Sequence, residues 1–199
     1  MILTIDNLLI QYQDYADPYG KIARELKNKR LFTVNKGLYE TKSDTPGHYL
    51  SAYIYGPSYL SFEYALAYHG LILEKVTVFA SATFEKRKAK TYQNIFGVYT
   101  YRDIPKSAYP FGIIVKIENN YSFFIATKEK AICDQLYTYP PVHSIKALKY
   151  LLFDDLRIDY EAFIQLISYA FIDLCDKYQS TNIKLLKRYL LKEQKRSQL

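Results

Sequence analysis

The hydrophobic period of this chain changes twice, and that change limits its fold more than any other feature. From Val76 to Ala82, Val76, Val78, Ala80 and Ala82 alternate with Thr77, Phe79 and Ser81. That is the spacing of a strand with two distinct faces. Further strands are expected at 90–95, 98–104, 112–117 and 121–126. They are separated by Phe96-Gly97, by Pro105 to Pro110 and by Glu118-Asn119-Asn120. On both sides of this block the spacing is helical. The pattern excludes an all-α bundle and an alternating βα array. It predicts an α+β chain whose mostly antiparallel sheet sits between helical segments.

The N-terminal third reads as helix, helix, hairpin. Apolar residues over 3–13 fall near helical spacing. Asp17-Pro18 then looks like an N-cap followed by proline at the first helical position. The second helix should run from Pro18 to about Arg30, with Ile22 and Leu26 on one side together with Tyr19. Gly20, Lys21, Arg24, Lys27 and Asn28 cluster on the other. Leu31 to Val34, then Asn35-Lys36-Gly37, then Leu38 to Thr41 reads as strand, tight turn, strand, with Gly37 supplying a positive φ. Residues 42–48 are turn-rich and form the best linker, so the expected division is 1–45 and 46–199. Helices are expected at 61–69, ended by Gly70, and from Thr127 to Pro140-Pro141. Three more should start at Ser144, at Asp159 (in register through Ala170) and near Ser180. Residues 192–199 are polar and basic and are expected to fray.

Composition narrows the function classes. The 199 residues carry 27 Lys+Arg against 20 Asp+Glu, a net charge of +7, which favours an acidic partner. With two cysteines, Cys133 and Cys175, there is neither a disulfide framework nor a four-cysteine zinc site. A reducing, cytoplasmic setting is expected. The first residues lack the basic and apolar regions of a signal peptide, and no apolar run approaches transmembrane length, so no membrane partner is expected. The 22 tyrosines and 11 phenylalanines are aromatic material for packing or interfaces.

No catalytic constellation stands out. His48, His69 and His143 are isolated, and no Walker-type loop or Gly-x-Ser-x-Gly occurs. Asp154, Asp155 and Asp159 read as a solvated turn and a helix cap rather than a magnesium site. Cys133, among apolar neighbours, reads as structural. No catalytic residue, metal or cofactor is therefore assigned.

The basic groups remain. Lys21, Arg24, Lys27, Asn28 and Arg30, with Lys36 in the turn, precede or belong to a hairpin, as in a small winged-helix module. There the second helix would enter the major groove, Arg24 and Asn28 would face base edges, and Lys21, Lys27 and Arg30 would meet phosphates. Lys86-Arg87-Lys88 and the basic C-terminal helix are further candidates for phosphate contact.

The middle of the chain resembles AbiEi-type antitoxins, the antitoxin and autorepressor half of type IV, abortive-infection toxin–antitoxin systems of phage defence. The resemblance rests on ordered blocks: Tyr55-Gly56-Pro57-Ser58-Tyr59-Leu60-Ser61, Ala65 to Leu71, Phe96-Gly97, Tyr101-Arg102-Asp103-Ile104, Phe111-Gly112-Ile113, and Ile125 to Ala131 with Asp134 and Leu136-Tyr137. Together they cover about 55–137. The resemblance implies an N-terminal winged-helix domain that binds inverted repeats in promoter DNA and regulates transcription. It also implies an α/β domain that counters a nucleotidyltransferase-like toxin without forming a tight complex, and it implies no bound cofactor. Tyr55, Ser58, Tyr59, Arg102, Lys128 and Lys130, polar or aromatic positions within or beside these blocks, are the candidates for the antitoxin surface. The family module has three helices before its wing. Between Gln13 and Asp17 there is no room for the middle one, so a shortened winged-helix-like module is expected. Two readings follow: a DNA-binding antitoxin, or an interaction protein of the same fold that does not read DNA and acts on a toxin, RNA or protein partner.

Overall fold

In the computed structural model, which describes residues 1–196, the chain is α+β. Its N-terminal unit opens with strand β1 (Ile2–Thr4), then helix α1 (Ile5–Gln11), helix α2 (Pro18–Lys27), and the hairpin β2 (Phe32–Asn35) and β3 (Leu38–Glu40). The first residues are therefore extended rather than helical. Ile2 and Leu3 pair antiparallel with Glu40 and Tyr39, giving a sheet in the order β1-β3-β2. Thr4 then starts α1 through a reciprocal cap: its Oγ1 accepts from Asn7 N, and Asn7 Oδ1 accepts from Thr4 N. Asp17 caps α2 by accepting from Gly20 N, and Pro18 occupies the first helical position.

Helix α2 stops at Lys27, before the expected Arg30. Lys29 takes a left-handed conformation (φ 56°), and the Arg30 amide returns to the Glu25 carbonyl. Leu8, Ile22 and Leu31 form the core of this unit. Tyr19 does not join them and stands exposed, whereas Glu25 is buried. Gly37 has φ 73°, and its carbonyl accepts from Ile5 N, which fastens the hairpin tip to the start of α1.

The stretch 42–48 runs into a short 3-10 turn, Gly47–Leu50, and helix α3 (Ser51–Ile54). Leu50 and Ile54 are buried with Val34, Tyr99 and Tyr101, an apolar cluster that seats the hairpin on the rest of the chain. Asn94 Nδ2 donates to the Val34 carbonyl at 2.8 Å, and Asn35 Nδ2 to that of Ile54 at 3.2 Å.

The larger sheet contains β4 (Tyr59–Leu60), β5 (Val78–Thr83), β6 (Lys90–Asn94), β7 (Gly97–Asp103), β8 (Ile113–Glu118) and β9 (Tyr121–Ala126) in the order β6-β7-β5-β4-β9-β8. It is more mixed than expected, because β5 with β7 and β4 with β9 run parallel. Helix α4 (Phe62–Tyr68) and helix α5 (Lys128–Thr138, capped by Thr127) contribute Phe62, Leu66, Ala131 and Leu136 to the main core. The C-terminal helices α6 (Ile145–Tyr150), α7 (Tyr160–Ile164), α8 (Tyr169–Cys175) and α9 (Thr181–Arg196) complete it, with a π turn at Leu151–Asp155. The single helix expected from Asp159 through Ala170 is two. Ser168 turns outward from the helical path to cap α8, accepting from Phe171 N, so Phe163 and Phe171 reach the same core from different helices. Residues 192–196 continue α9 rather than fray; the remaining expected tail lies outside the described residues.

Candidate nucleic-acid interface

Helix α2 sorts its side chains by the 100° step. Ile22, Glu25 and Leu26 face inward, while Ala23, Arg24, Lys27 and Asn28 face solvent. Lys21 stands at the border. Its ammonium donates to Glu25 Oε1 at 2.6 Å and lies 5.7 and 5.1 Å from the ring centres of Tyr12 and Tyr15. Hydrogen bonding to Glu25 raises the Lys21 pKa, and the same bond lowers that of Glu25. Glu25 also lies 3.5 Å from Arg30 Nη1. Lys21 is thus committed inside the unit, and Arg30 is partly so. Arg24 turns its Nε back to the Gly20 carbonyl at 3.2 Å and leaves the rest of its guanidinium exposed. Among the described residues no carboxylate forms an ion pair with Arg24, Lys27, Lys29 or Lys36. Lys36, in the hairpin turn, is exposed.

The candidates Lys86, Arg87 and Lys88 belong to the loop between β5 and β6, on the larger sheet. Lys86 reaches the Gly56 carbonyl at 3.1 Å and sits 5.1 Å over the Tyr55 ring. The Arg87 amide is held by Asp103, whose other oxygen accepts from Thr83. Arg87 and Lys88 are exposed.

Three of the six residues expected on the antitoxin surface are interior. Ser58, Tyr59 and Lys130 are buried, so none of them can present itself to a partner in this conformation. Lys130 and Tyr59 instead meet in a polar network under α5. Asp134 accepts from Tyr59 Oη at 2.8 Å, Ser61 Oγ at 2.7 Å and Tyr178 Oη at 2.6 Å. The Lys130 ammonium donates to the Ala108 carbonyl at 2.6 Å and to Tyr178 Oη at 2.7 Å. Burial pushes the Lys130 pKa down, with Asp134 opposing it, and pushes Tyr59 and Tyr178 far above the ordinary phenol value. These hydroxyls therefore stay protonated and act as donors. The resemblance blocks 55–61 and 125–137, far apart in sequence, supply Tyr59, Ser61, Lys130 and Asp134 to this one network.

Tyr55 and Arg102 are half-buried, and Lys128 is exposed. Arg102 stacks 4.1 Å over the Phe62 ring and donates to Glu63 Oε2 at 2.6 Å, while Gln135 donates to Glu63 Oε1 at 2.9 Å. Glu63, Gln135, Asp134 and Tyr178 carry as much of this chemistry as the expected residues. The i,i+4 spacing of Lys130 and Asp134 is a local signal for Asp134, as that of Lys21 and Glu25 is for Glu25. Nothing near Tyr178 in sequence gives such a signal.

Among the described residues no cluster of His, Cys, Asp or Glu is placed to hold a metal ion, and no helix is long and apolar enough to cross a membrane. No protein-family model matches the chain, and no curated protein matches it.

Proposed function

We propose that this chain is an antitoxin-type regulator of the AbiEi kind, which binds promoter DNA through its N-terminal unit while its larger body counters a nucleotidyltransferase-like toxin. The observation that carries the DNA-binding part is the unpaired cationic side of α2. Arg24 and Lys27 lie on its solvent face, with Lys29 just beyond its end and Lys36 on the adjoining hairpin, and among the described residues no carboxylate forms an ion pair with them. A helix presenting cations beside a β-ribbon suits a groove flanked by phosphates. The strand–helix–helix–hairpin order, with β1 closing on β3, supports a winged-helix-like reading of 1–45. The antitoxin part rests on the ordered blocks from Tyr55 to Tyr137. Tyr55, Arg102 and Lys128 are the accessible members of the proposed antitoxin surface.

A second reading has its own support. The hairpin tip is fastened to α1 by the Ile5–Gly37 hydrogen bond, so it projects little, and Lys21 is already neutralised by Glu25. Both features suit an interaction protein that does not read sequence. Titration of the pure chain into a labelled duplex from its own promoter, and into a scrambled duplex, over a series of salt concentrations separates the two. Regulation requires a clear preference for the promoter duplex; equal affinity for both rejects it.

A further inference from the structure

The hairpin of β8 and β9 ends the larger sheet, and among the described residues no strand pairs with the outer side of β8. Glu118 pairs with Tyr121 across Asn119-Asn120, both of which have positive φ, as in a two-residue type I′ turn. Ile114, Lys116 and Glu118 therefore direct their backbone groups toward β9. Ile113, Val115 and Ile117 direct theirs outward. The same strand places side chains on a sheet face that α3 flanks at Ala52 but leaves largely open. Ile117 is 76% exposed, Val115 57%, and Phe124, directly opposite Val115, 46%. An apolar groove of about 490 Å³ continues this patch past Pro57 and Tyr109. β8 holds no proline and its register is regular; the charges it carries, Lys116 and Glu118, are the only edge protection of the usual kinds among its residues.

We propose that this edge is an interface between two copies of the chain, with β8 pairing antiparallel to β8 of the second copy across a two-fold axis at Ile117. A two-fold axis normal to the sheet joins like faces, which leaves few registers. An axis at Lys116 sets two ammonium groups opposite each other. An axis at Val115 sets each Lys116 against Ile114. An axis at Ile117 sets each Lys116 against Glu118 of the second copy, twice, and packs Ile117 on its own equivalent. It alone sets opposite charges against each other on one face; the paired stretch is then 116–118, with Ile117 the apolar contact on the other face and Val115 lying beyond it, beside the Asn119 turn of the second copy. The Glu118 side chain accepts from the Tyr68 and Tyr49 hydroxyls yet remains 38% exposed, so an ammonium can still reach it.

Sedimentation velocity of the full chain over a concentration series tests this directly. A concentration-dependent dimer is expected. Ile117→Lys should weaken it by about thirtyfold, and Lys116→Glu should weaken it by facing Glu118. Ile117 is exposed, so an unchanged far-ultraviolet circular dichroism spectrum checks that Ile117→Lys still folds. Oxidised Ile117→Cys should form an inter-chain disulfide. Oxidised Val115→Cys should not, because its equivalent lies about 14 Å along the strand. Cys133 and Cys175 are buried and do not compete. A chain that stays monomeric at every concentration overturns the proposal and leaves the edge to a strand from a different protein. Preferential linking through Val115→Cys overturns it as well.

Discussion

The Lys130 ammonium and the Asp134 carboxylate lie 3.4 Å apart, one turn apart on α5, and neither side chain has any solvent exposure. Such a pair stabilises little by itself, but removing one partner leaves the other buried and charged. Here the loss is asymmetric. Asp134 has three hydroxyl donors besides Lys130, whereas Lys130 keeps only a carbonyl and one phenol when Asp134 is gone. Asp134→Ala should therefore cost about 3–5 kcal/mol, and Lys130→Met, which keeps the length of the stem, should cost less. Urea unfolding of both variants checks the order. The reverse order would mean that the ammonium, not the carboxylate, organises the site.

On α2, Lys21 and Lys27 differ in what already holds them. Lys21 is bonded to Glu25, whereas Lys27 faces solvent without an acidic partner. If α2 lies against duplex DNA, Lys27→Ala should flatten the plot of log affinity against log salt by about 0.9. Lys21→Ala should leave that slope unchanged. Arg24→Ala should cost about 1–3 kcal/mol of preference for the promoter if Arg24 meets a base edge. Equal slope changes for Lys21 and Lys27 would remove the distinction drawn from Glu25.

What could be read in the sequence was what neighbours within a few residues decide. The caps Asp17, Thr127, Ser144 and Asp159 each bond an amide three residues on, and each starts a helix where expected. The alternation of β5 and the Gly37 turn are local in the same sense. β1 was not legible, because Ile2 and Leu3 are extended only through pairing with Glu40 and Tyr39. Lys130 is expected on the antitoxin surface as a polar position within the resemblance blocks, and it is buried. Its burial depends on Ala108, 22 residues away, and Tyr178, 48 residues away. Tyr59 was misplaced for the same reason: its hydroxyl partner Asp134 is 75 residues distant.

The end of α2 holds a correctable strain. Lys29 adopts φ 56° at the position after the cap, where glycine is the ordinary residue. A side chain in that region costs about 1–2 kcal/mol, partly offset by the greater freedom of glycine in the unfolded chain. Lys29→Gly should raise stability by about 0.5–1 kcal/mol, seen as a higher urea midpoint. A lower midpoint would show that the Lys29 side chain contributes more than its backbone strain costs.

Two histidines set the pH response near neutrality. His48 packs against Tyr49 and Phe123, with ring centres 4.3 and 4.9 Å away, and its Nε2 is 3.5 Å from Glu118. His69 Nε2 donates to the Ala126 carbonyl at 2.7 Å. Burial pushes both pKa values below the ordinary 6.5, and in His48 it outweighs the pull of Glu118. The unfolded chain therefore binds protons in a window where the folded chain does not. Stability then rises with pH, and it must fall as pH drops from 6.5 through the folded values. The carboxylates act lower: Glu118 is held below 4.5 chiefly by the Tyr68 hydroxyl, so its contribution is lost only in stronger acid. Urea midpoints measured from pH 7.5 to pH 5 should decline in the native chain. They should decline less in the His48→Gln, His69→Gln double variant, which cannot take up those protons. A midpoint that climbs on acidification over this range would mean that Glu118 outweighs burial at His48 and that the sign is reversed.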